Sequence, residues 1–591
     1  MEINLTRRQA LTLALMYTAT LSGCCRLRPK IQPYCPASPA VSYLDGPLTI
    51  DAHCHVFNGS DLQISPFLSK VLVHDVHGSV GRALEALTDL IQNISWALVP
   101  RGERELMELA LLKPCEGAAA DRPADLLQRP YNYGGAGALR QQAHAVGKAQ
   151  LLASIKRTPH FQTLQKKYPQ TAQLAELDET TQIQLAAVRL INNIPEQVED
   201  YIDGRSSLSA MSLSEKTADG IVHFLLQNFQ YRYVSVHDYL RTYNVPGKRV
   251  VDLMLPSMVD YDWWLAEGRS TQTTLAVQVQ VMEQISILTG GRVHAFVPFD
   301  PLKQVAFELY GTGENSLNLV KRAILSHGCV GVKLYPPMGF APLGNAELQD
   351  RKGRGFWSRD WLPDLTDRAD LGQLLDNAMR ALFTWCVEEQ VPVMAHTYIS
   401  NGVTQDFQEL AGAEYWAKAL RAFPDLRISF GHFGGTDGEK GQDRGRDFAA
   451  LMSAAPGAPG QFAYADAAYF SEVLVADPEL LETLKTLYDG TVSKGGAALA
   501  NRFMYGTDWE MTLAHGDIGG YLSDFERLFQ AIEERPAVKQ AGFVGLSAKF
   551  FGQNAADWIG LRKDEESRKR LNAFYAANGV ERPDWAVKID S

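Results

Sequence analysis

Three histidines, a fourth two residues from the first, one aspartate and one lysine stand where short apolar runs of this chain end. His53 and His55 lie in Asp51-Ala-His-Cys-His, His396 closes Val-Met-Ala-His, and His432 stands in Phe-Gly-His-Phe. Asp508 closes Tyr-Gly-Thr-Asp, and Lys333 lies in Gly-Val-Lys-Leu-Tyr. Imidazole and carboxylate are ligands for a divalent ion. On a strand, residues 53 and 55 share one face and Cys54 takes the other, so both imidazoles can reach one ion. Asp51 falls on that face by the same count and is expected to orient a ligand histidine. Taken singly, each histidine also fits a hydrogen-bonded core residue. A carboxylate ending an apolar run is costly unless it is paired or metal-bound. The coincidence of place favours one shared site.

The elements that would position these residues are short apolar runs at 48–55, 249–255, 292–298, 328–334, 391–396, 427–432, 461–465 and 502–506. Helical stretches such as 274–288 and 371–389 lie between them. Eight strands alternating with helices predict an α/β fold, a (β/α)8 TIM barrel, whose chemistry sits at the carboxyl ends of the strands. The candidate ligands end strands one, five, six and eight. The barrel is expected to comprise residues 47–59 and 246–561. Residues 60–245 carry helical stripes (Leu84, Leu87, Ile91, Ile94; Val222, Leu225, Leu226, Phe229) and a capping box at Ser212 and Glu215. They read as a large helical insertion after the first strand. Residues 562–591 read as a peripheral helix and tail.

The N-terminus is expected to be an export signal over 1–23. Arg7-Arg8 precede an uncharged stretch that is shorter than the roughly 18–20 apolar residues of a membrane span. The arginine pair points to the twin-arginine route, although Ala10 stands where Phe is usual. Leu21-Ser-Gly-Cys24 resembles a lipobox, with Cys24 the expected lipidation site, followed by a Pro-rich tether over 24–46. Together these predict a bacterial lipoprotein anchored to a membrane and facing the periplasm. The other cysteines beyond Cys25, which are Cys35, Cys54, Cys115, Cys329 and Cys386, form neither a disulfide framework nor a zinc ribbon. A net charge of −11 without a long basic run argues against nucleic acid as a partner.

The order His-x-His, His, His, Asp, with Gly-Val-Lys-Leu-Tyr-Pro at 331–336 and Tyr-Gly-Thr-Asp at 505–508, resembles the amidohydrolase superfamily. Within it, the likeness is to the amidohydrolase-related branch, which also contains decarboxylases of the aminocarboxymuconate-semialdehyde type. Phe551-Gly-Gln-Asn-Ala555 and Ile559-Gly-Leu561 are similar to the branch's closing helix. The likeness covers roughly 47–60 and 248–561, not the insertion. It implies that His53, His55, His396 and Asp508 bind one divalent metal, zinc in the first place, with Mn2+ or Fe2+ compatible with the same donors. It further implies that His432 is the general base beside a metal-activated water and that Asp508 passes the proton to a leaving group. Binuclear relatives carboxylate the strand-four lysine. In this branch an unmodified Lys333 is expected, available to a substrate carboxylate.

Loops after the strands offer Tyr261, Trp263, Trp264, Pro337, Met338, Phe340, Tyr398, Asn401, Tyr469 and Phe470. Trp263 and Tyr398 are the candidate substrate contacts for a small, aromatic molecule. The expected activity is hydrolysis of a C–N or C–O bond, with non-oxidative decarboxylation of an aromatic or unsaturated acid as the alternative. A non-catalytic, lipid-anchored binding protein is the reading from a different class. Self-association is common in the branch and a homo-oligomer is compatible with the resemblance, but the sequence itself does not set the oligomeric state.

Overall fold

The computed structural model describes residues 46–63, 99–109, 230–470 and 499–591, apart from short gaps at 246, 264, 266, 312, 399–402, 436–441, 454, 516–518 and 543–544. Isolated positions such as Phe67, Phe224 and Tyr488 are also described. The signal segment, Cys24 and nearly all of the tether lie outside these residues. So do the two helical stripes, the capping box, Trp264 and Asn401. Among the described residues no helix is long and apolar enough to cross a membrane.

Eight strands alternate with helices and pair in parallel, giving an α/β fold. The strands are β1 (Ile50–Cys54), β2 (Leu253–Pro256), β3 (Phe296–Pro298), β4 (Gly331–Leu334), β5 (Val393–His396), β6 (Ile428–Gly431), β7 (Ala463–Asp466) and β8 (Phe503–Met504). β1 pairs with β2, and β3 through β8 form one sheet in sequence order. Between the two sheets, parallel bridges join Met254 to Val293 and Ser257 to Phe296. Beside the first and last strands, Ala52 N donates to Tyr505 O (3.0 Å) and Asp508 N to His53 O (2.9 Å). Several strands are shorter than the apolar runs that announced them. Val250 and Val251, for example, are buried ahead of β2, because an apolar run marks burial and not ladder pairing.

Alternation sorts the core into two layers. Phe296, Met394, Tyr464 and Met504 meet Trp558 and Trp585 in one cluster. Their chain neighbours Val297, Val393, Ala395, Ala463, Ala465 and Phe503 pack in the larger cluster that includes Leu375 and Leu382 of the helix Leu371–Glu388. Two residues beyond Met394 and Tyr464, the first face carries His396 and Asp466.

Two sequence expectations need correction. The C-terminal segment is not a peripheral tail. The helix Asp584–Asp590 buries Trp585 completely, and its Nε1 donates to Gly291 O (2.8 Å). Strict alternation also fails in β1, where Asp51 pairs with Met254 and Cys54 with Pro256, so three steps of β1 oppose two of β2. This irregularity separates Asp51 from the ring of His53.

Candidate metal centre

Three of the four imidazoles are oriented through Nδ1 by a residue from another strand or loop. His53 Nδ1 lies 3.0 Å from Asp466 Oδ1, His55 Nδ1 2.7 Å from Ser257 O, and His432 Nδ1 2.9 Å from Ala468 O. All three partners are acceptors, so each ring carries its proton at Nδ1 and leaves a lone pair at Nε2. Those Nε2 atoms face one another's surroundings. His53 Nε2 is 2.7 Å from Lys333 Nζ, His432 Nε2 is 3.1 Å from His396 Nδ1, and His55 Nε2 is 3.1 Å from Asp508 Oδ1. Donor atoms of His53, His432 and Asp508 lie within 4.8 Å of one another.

The electrostatics suit a cation. Burial lowers the basicity of His53, His396 and His432, with Lys333 adding to the effect on His53 and His432 on His396. Neutral imidazoles are the ligand form. Burial raises the Asp508 carboxyl, and the positive charge that His55, His432 and His53 carry whenever they are protonated lowers it. Asp508 Oδ1 is nevertheless a buried oxygen without a well-aimed hydrogen-bond partner. Such an atom, facing imidazole lone pairs, is what a divalent ion would satisfy. The residues present therefore fit a metal, with the ammonium of Lys333 already beside one of the lone pairs. Burial brings Lys333 down to about 8 while Asp466 and Asp508 pull the other way.

The backbone is bent to make this geometry. His432 (φ 62°), Tyr469 (φ 63°) and Asp508 (φ 54°) are left-handed, each just past the carboxyl end of a strand. Non-glycine residues hold that conformation only where their surroundings enforce it. Gly431 lets the ring of His53 approach, since a Cβ there would stand 2.8 Å from His53 Cε1 and 2.7 Å from Ala395 O.

Of the residues singled out in the sequence, His53, His55, Lys333, His396, His432 and Asp508 come together at this site. Asp51 does not orient a histidine ring. Its carboxylate accepts from Tyr239 Oη (2.7 Å), Thr507 Oγ1 (2.6 Å), Thr507 N (3.1 Å) and the backbone N of His53 (3.2 Å). The ring partner is Asp466, which the sequence reading passed over. The signal was available, because Asp466 closes Phe462-Ala-Tyr-Ala just as Asp508 closes its own run. Tyr398 is near the site, its ring centroid 6.4 Å from that of His432. Trp263 instead packs edge-on to Trp361 (6.3 Å) near Lys303. Tyr335 is the aromatic residue stacked on His396, at 4.2 Å and 18°. The three cysteines described, Cys54, Cys329 and Cys386, are buried and unpaired.

The helix Arg232–Tyr243, near the end of the expected insertion, braces the site from outside. Besides Tyr239 on Asp51, its Ser235 Oγ donates to Glu510 and accepts from Trp509 Nε1 (3.1 Å). Tyr239→Phe should cost about 1–3 kcal/mol, because a buried carboxylate oxygen loses one of its two hydroxyl donors. Denaturant unfolding would measure this, and unchanged stability would show the Tyr239–Asp51 bond to be unimportant.

Comparison with known proteins agrees with the class of site. Residues 305–561 match the family model described as amidohydrolase. No curated protein sequence matches the chain. Among solved structures, a candidate metal-dependent hydrolase from Lactobacillus casei ATCC 334 is similar at 14% identity, covering 92% of this chain and 98% of its own, with a TM-score of 0.33. An amidohydrolase II protein is similar at 13% identity over 56% of this chain and 89% of its own (TM-score 0.31). The IDCase of Metarhizium anisopliae is similar at 16% identity over 57% and 80% (TM-score 0.31). Likenesses this distant assign neither a substrate nor a reaction.

Proposed function

We propose that this chain is a metal-dependent hydrolase that cleaves a C–N or C–O bond of a small molecule at the carboxyl ends of a closed (β/α)8 barrel. The observation that carries the reading is the buried Oδ1 of Asp508, which lacks a well-aimed donor and lies 3.1 Å from His55 Nε2, among His53, His55 and His432, whose Nδ1 protons are held on the far side of each ring. The backbone bonds between β1 and the segment after β8, and the bridges between β2 and β3, support closure. His53, His55, His396 and Asp508 would hold one divalent ion. Bound there, the ion supplies Lewis acidity and lowers the pKa of a coordinated water to about 7.

The chain's own residues then handle the protons and the substrate. His432 is neutral at neutral pH because burial lowers its basicity, so its Nε2 can accept a proton. Asp508, ionised at the same pH, stabilises positive charge and can relay the proton to a leaving group. Lys333, in the wall of the adjoining cavity, can hold a substrate carboxylate. That last feature also favours the second reading, decarboxylation of an aromatic or unsaturated acid at the same centre. Release of carbon dioxide from candidate acids, against release of amine or alcohol from amides and esters, separates the two.

His432→Asn is expected to lower turnover about 100- to 10,000-fold while the metal stays bound. Metal analysis beside the kinetics makes the test. If the metal leaves with the activity, His432 is a ligand and not the base, and full activity in the variant would remove it from the mechanism.

A further inference from the structure

Three of the candidate ligands come from two segments that run side by side. His53 and His55 belong to β1 and the residues just past it, and Asp508 to the turn after β8. Asp508 N donates to His53 O (2.9 Å) and His55 N to Trp509 O (3.2 Å). The turn is left-handed at two non-glycine residues, Asp508 (φ 54°) and Glu510 (φ 71°). Such a backbone persists only where contacts from elsewhere hold it.

Glu510 makes contacts of that kind. Its side chain is completely buried, and each carboxylate oxygen has one donor. Oε2 accepts from Phe57 N (3.2 Å), two residues past His55, and Oε1 accepts from Ser235 Oγ. Both donors are neutral, so the core gains little stability from burying a carboxyl group here. What the side chain does supply is a tie among three separate segments.

Asp51 repeats this tie in the opposite direction. Glu510 reaches from the β8 turn to a backbone N–H beyond β1, whereas Asp51 reaches from β1 to Thr507 N (3.1 Å) and Thr507 Oγ1 (2.6 Å) in the turn. Each carboxylate also receives a hydroxyl from the helix Arg232–Tyr243, Asp51 from Tyr239 (2.7 Å) and Glu510 from Ser235. Ser235 and Tyr239 are four residues apart and share one face of that helix. Trp509, between Asp508 and Glu510, packs on the same face. Its Nε1 donates to Ser235 Oγ (3.1 Å), and its ring stands edge-on to Tyr239 at 5.4 Å. The first residue of the helix is fixed in turn, because Arg232 pairs with Asp61 and with Glu105 (2.7 Å).

We propose that Glu510 is a positioning residue of the metal centre. By tying the turn after β8 to Phe57 and Ser235, it holds Asp508 within ligand distance of the histidines of β1. The helix Arg232–Tyr243 is thereby part of the metal site although it contributes no ligand. This rests on the histidine cluster binding a metal, as proposed above.

The test titrates cobalt(II), whose visible absorption reports coordination geometry, into the full chain after its metal has been removed with a chelator. Glu510→Ala is expected to bind Co2+ at least about tenfold more weakly and with a changed spectrum. Ser235→Ala, which removes one of the two donors, should shift both in the same direction. Glu510→Gln is the conservative comparison. Its Oε1 can accept from Phe57 N while its Nε2 donates to Ser235 Oγ, so the native spectrum should return. A thermal melt shows that each variant folds. Native affinity and spectrum in Glu510→Ala would overturn the proposal. Equal weakening in Glu510→Gln would do so too, by assigning the effect to charge and not to the tie. If Glu510→Ala does not fold, Ser235→Ala decides by the same readout, and native behaviour there overturns the proposal. No cobalt binding by the native protein would refute the metal centre itself, and the positioning role with it. A native spectrum that the variants leave unchanged would refute the positioning role alone.

Discussion

His53→Ala should strip the protein of its divalent metal and lower turnover by about a thousandfold or more, equivalent to about 4 kcal/mol of barrier. The ring is completely buried and makes two contacts that no neighbour can replace. Its Nδ1 sits on Asp466 and its Nε2 faces Lys333. Removing it deletes one donor, frees Asp466 from its ring partner and leaves the Lys333 ammonium without its acceptor. The loss should therefore exceed what a single missing ligand would cause. The variant also opens a cavity, so some loss of stability accompanies the effect. Metal analysis by mass spectrometry, with a thermal melt to show that the chain still folds, measures the outcome. A folded variant that keeps about one equivalent of metal would remove His53 from the ligand set.

Asp466→Asn is the second large effect, expected to weaken metal binding about 10- to 100-fold with a smaller change in stability. Oδ1 of Asp466 receives His53 Nδ1 (3.0 Å), His432 N (3.1 Å) and Ala468 N (3.2 Å), and Oδ2 receives Ser429 Oγ (3.0 Å). An asparagine with its carbonyl at the Oδ1 position keeps three of these bonds, and its amide can donate to Ser429. The fold should survive, but the negative charge behind His53 disappears. A less polarised imidazole is a weaker donor to a cation, and its tautomer is less firmly set. Competition with a chelator gives the metal affinity directly. Unchanged affinity would reduce Asp466 to a structural tie between β6, β7 and the loop that follows.

The comparison of sequence and structure turns on particular residues. The eight strands were legible because apolar runs of strand length recur between helical stretches, and β1 through β8 fall on or within a residue or two of those runs. His396, His432 and Asp508 were legible for the same reason, each standing at the end of such a run. Asp51 was misread because alternation was counted across an irregular register that only the pairing with β2 reveals. Trp263 was chosen for being aromatic, yet Tyr335 is the ring that stacks on His396. Composition alone could not separate the two. The role of the helix Arg232–Tyr243 had no sequence signal, since Tyr239 and Asp51 are 188 residues apart.

What the sequence by itself determined is local: which residues end strands, what donors they carry, and that several of them could meet around a cation. Period-two burial and strand length suffice for that, because both are written in adjacent residues. The tertiary structure alone decided which face Asp51 takes, which carboxylate backs His53, and where each imidazole proton sits. Those outcomes depend on Ser257 O, Ala468 O and Asp466, which lie 202, 36 and 413 residues from the rings they orient. A histidine's tautomer is set by its hydrogen-bond partner, and a partner that distant exists only once the strands are side by side.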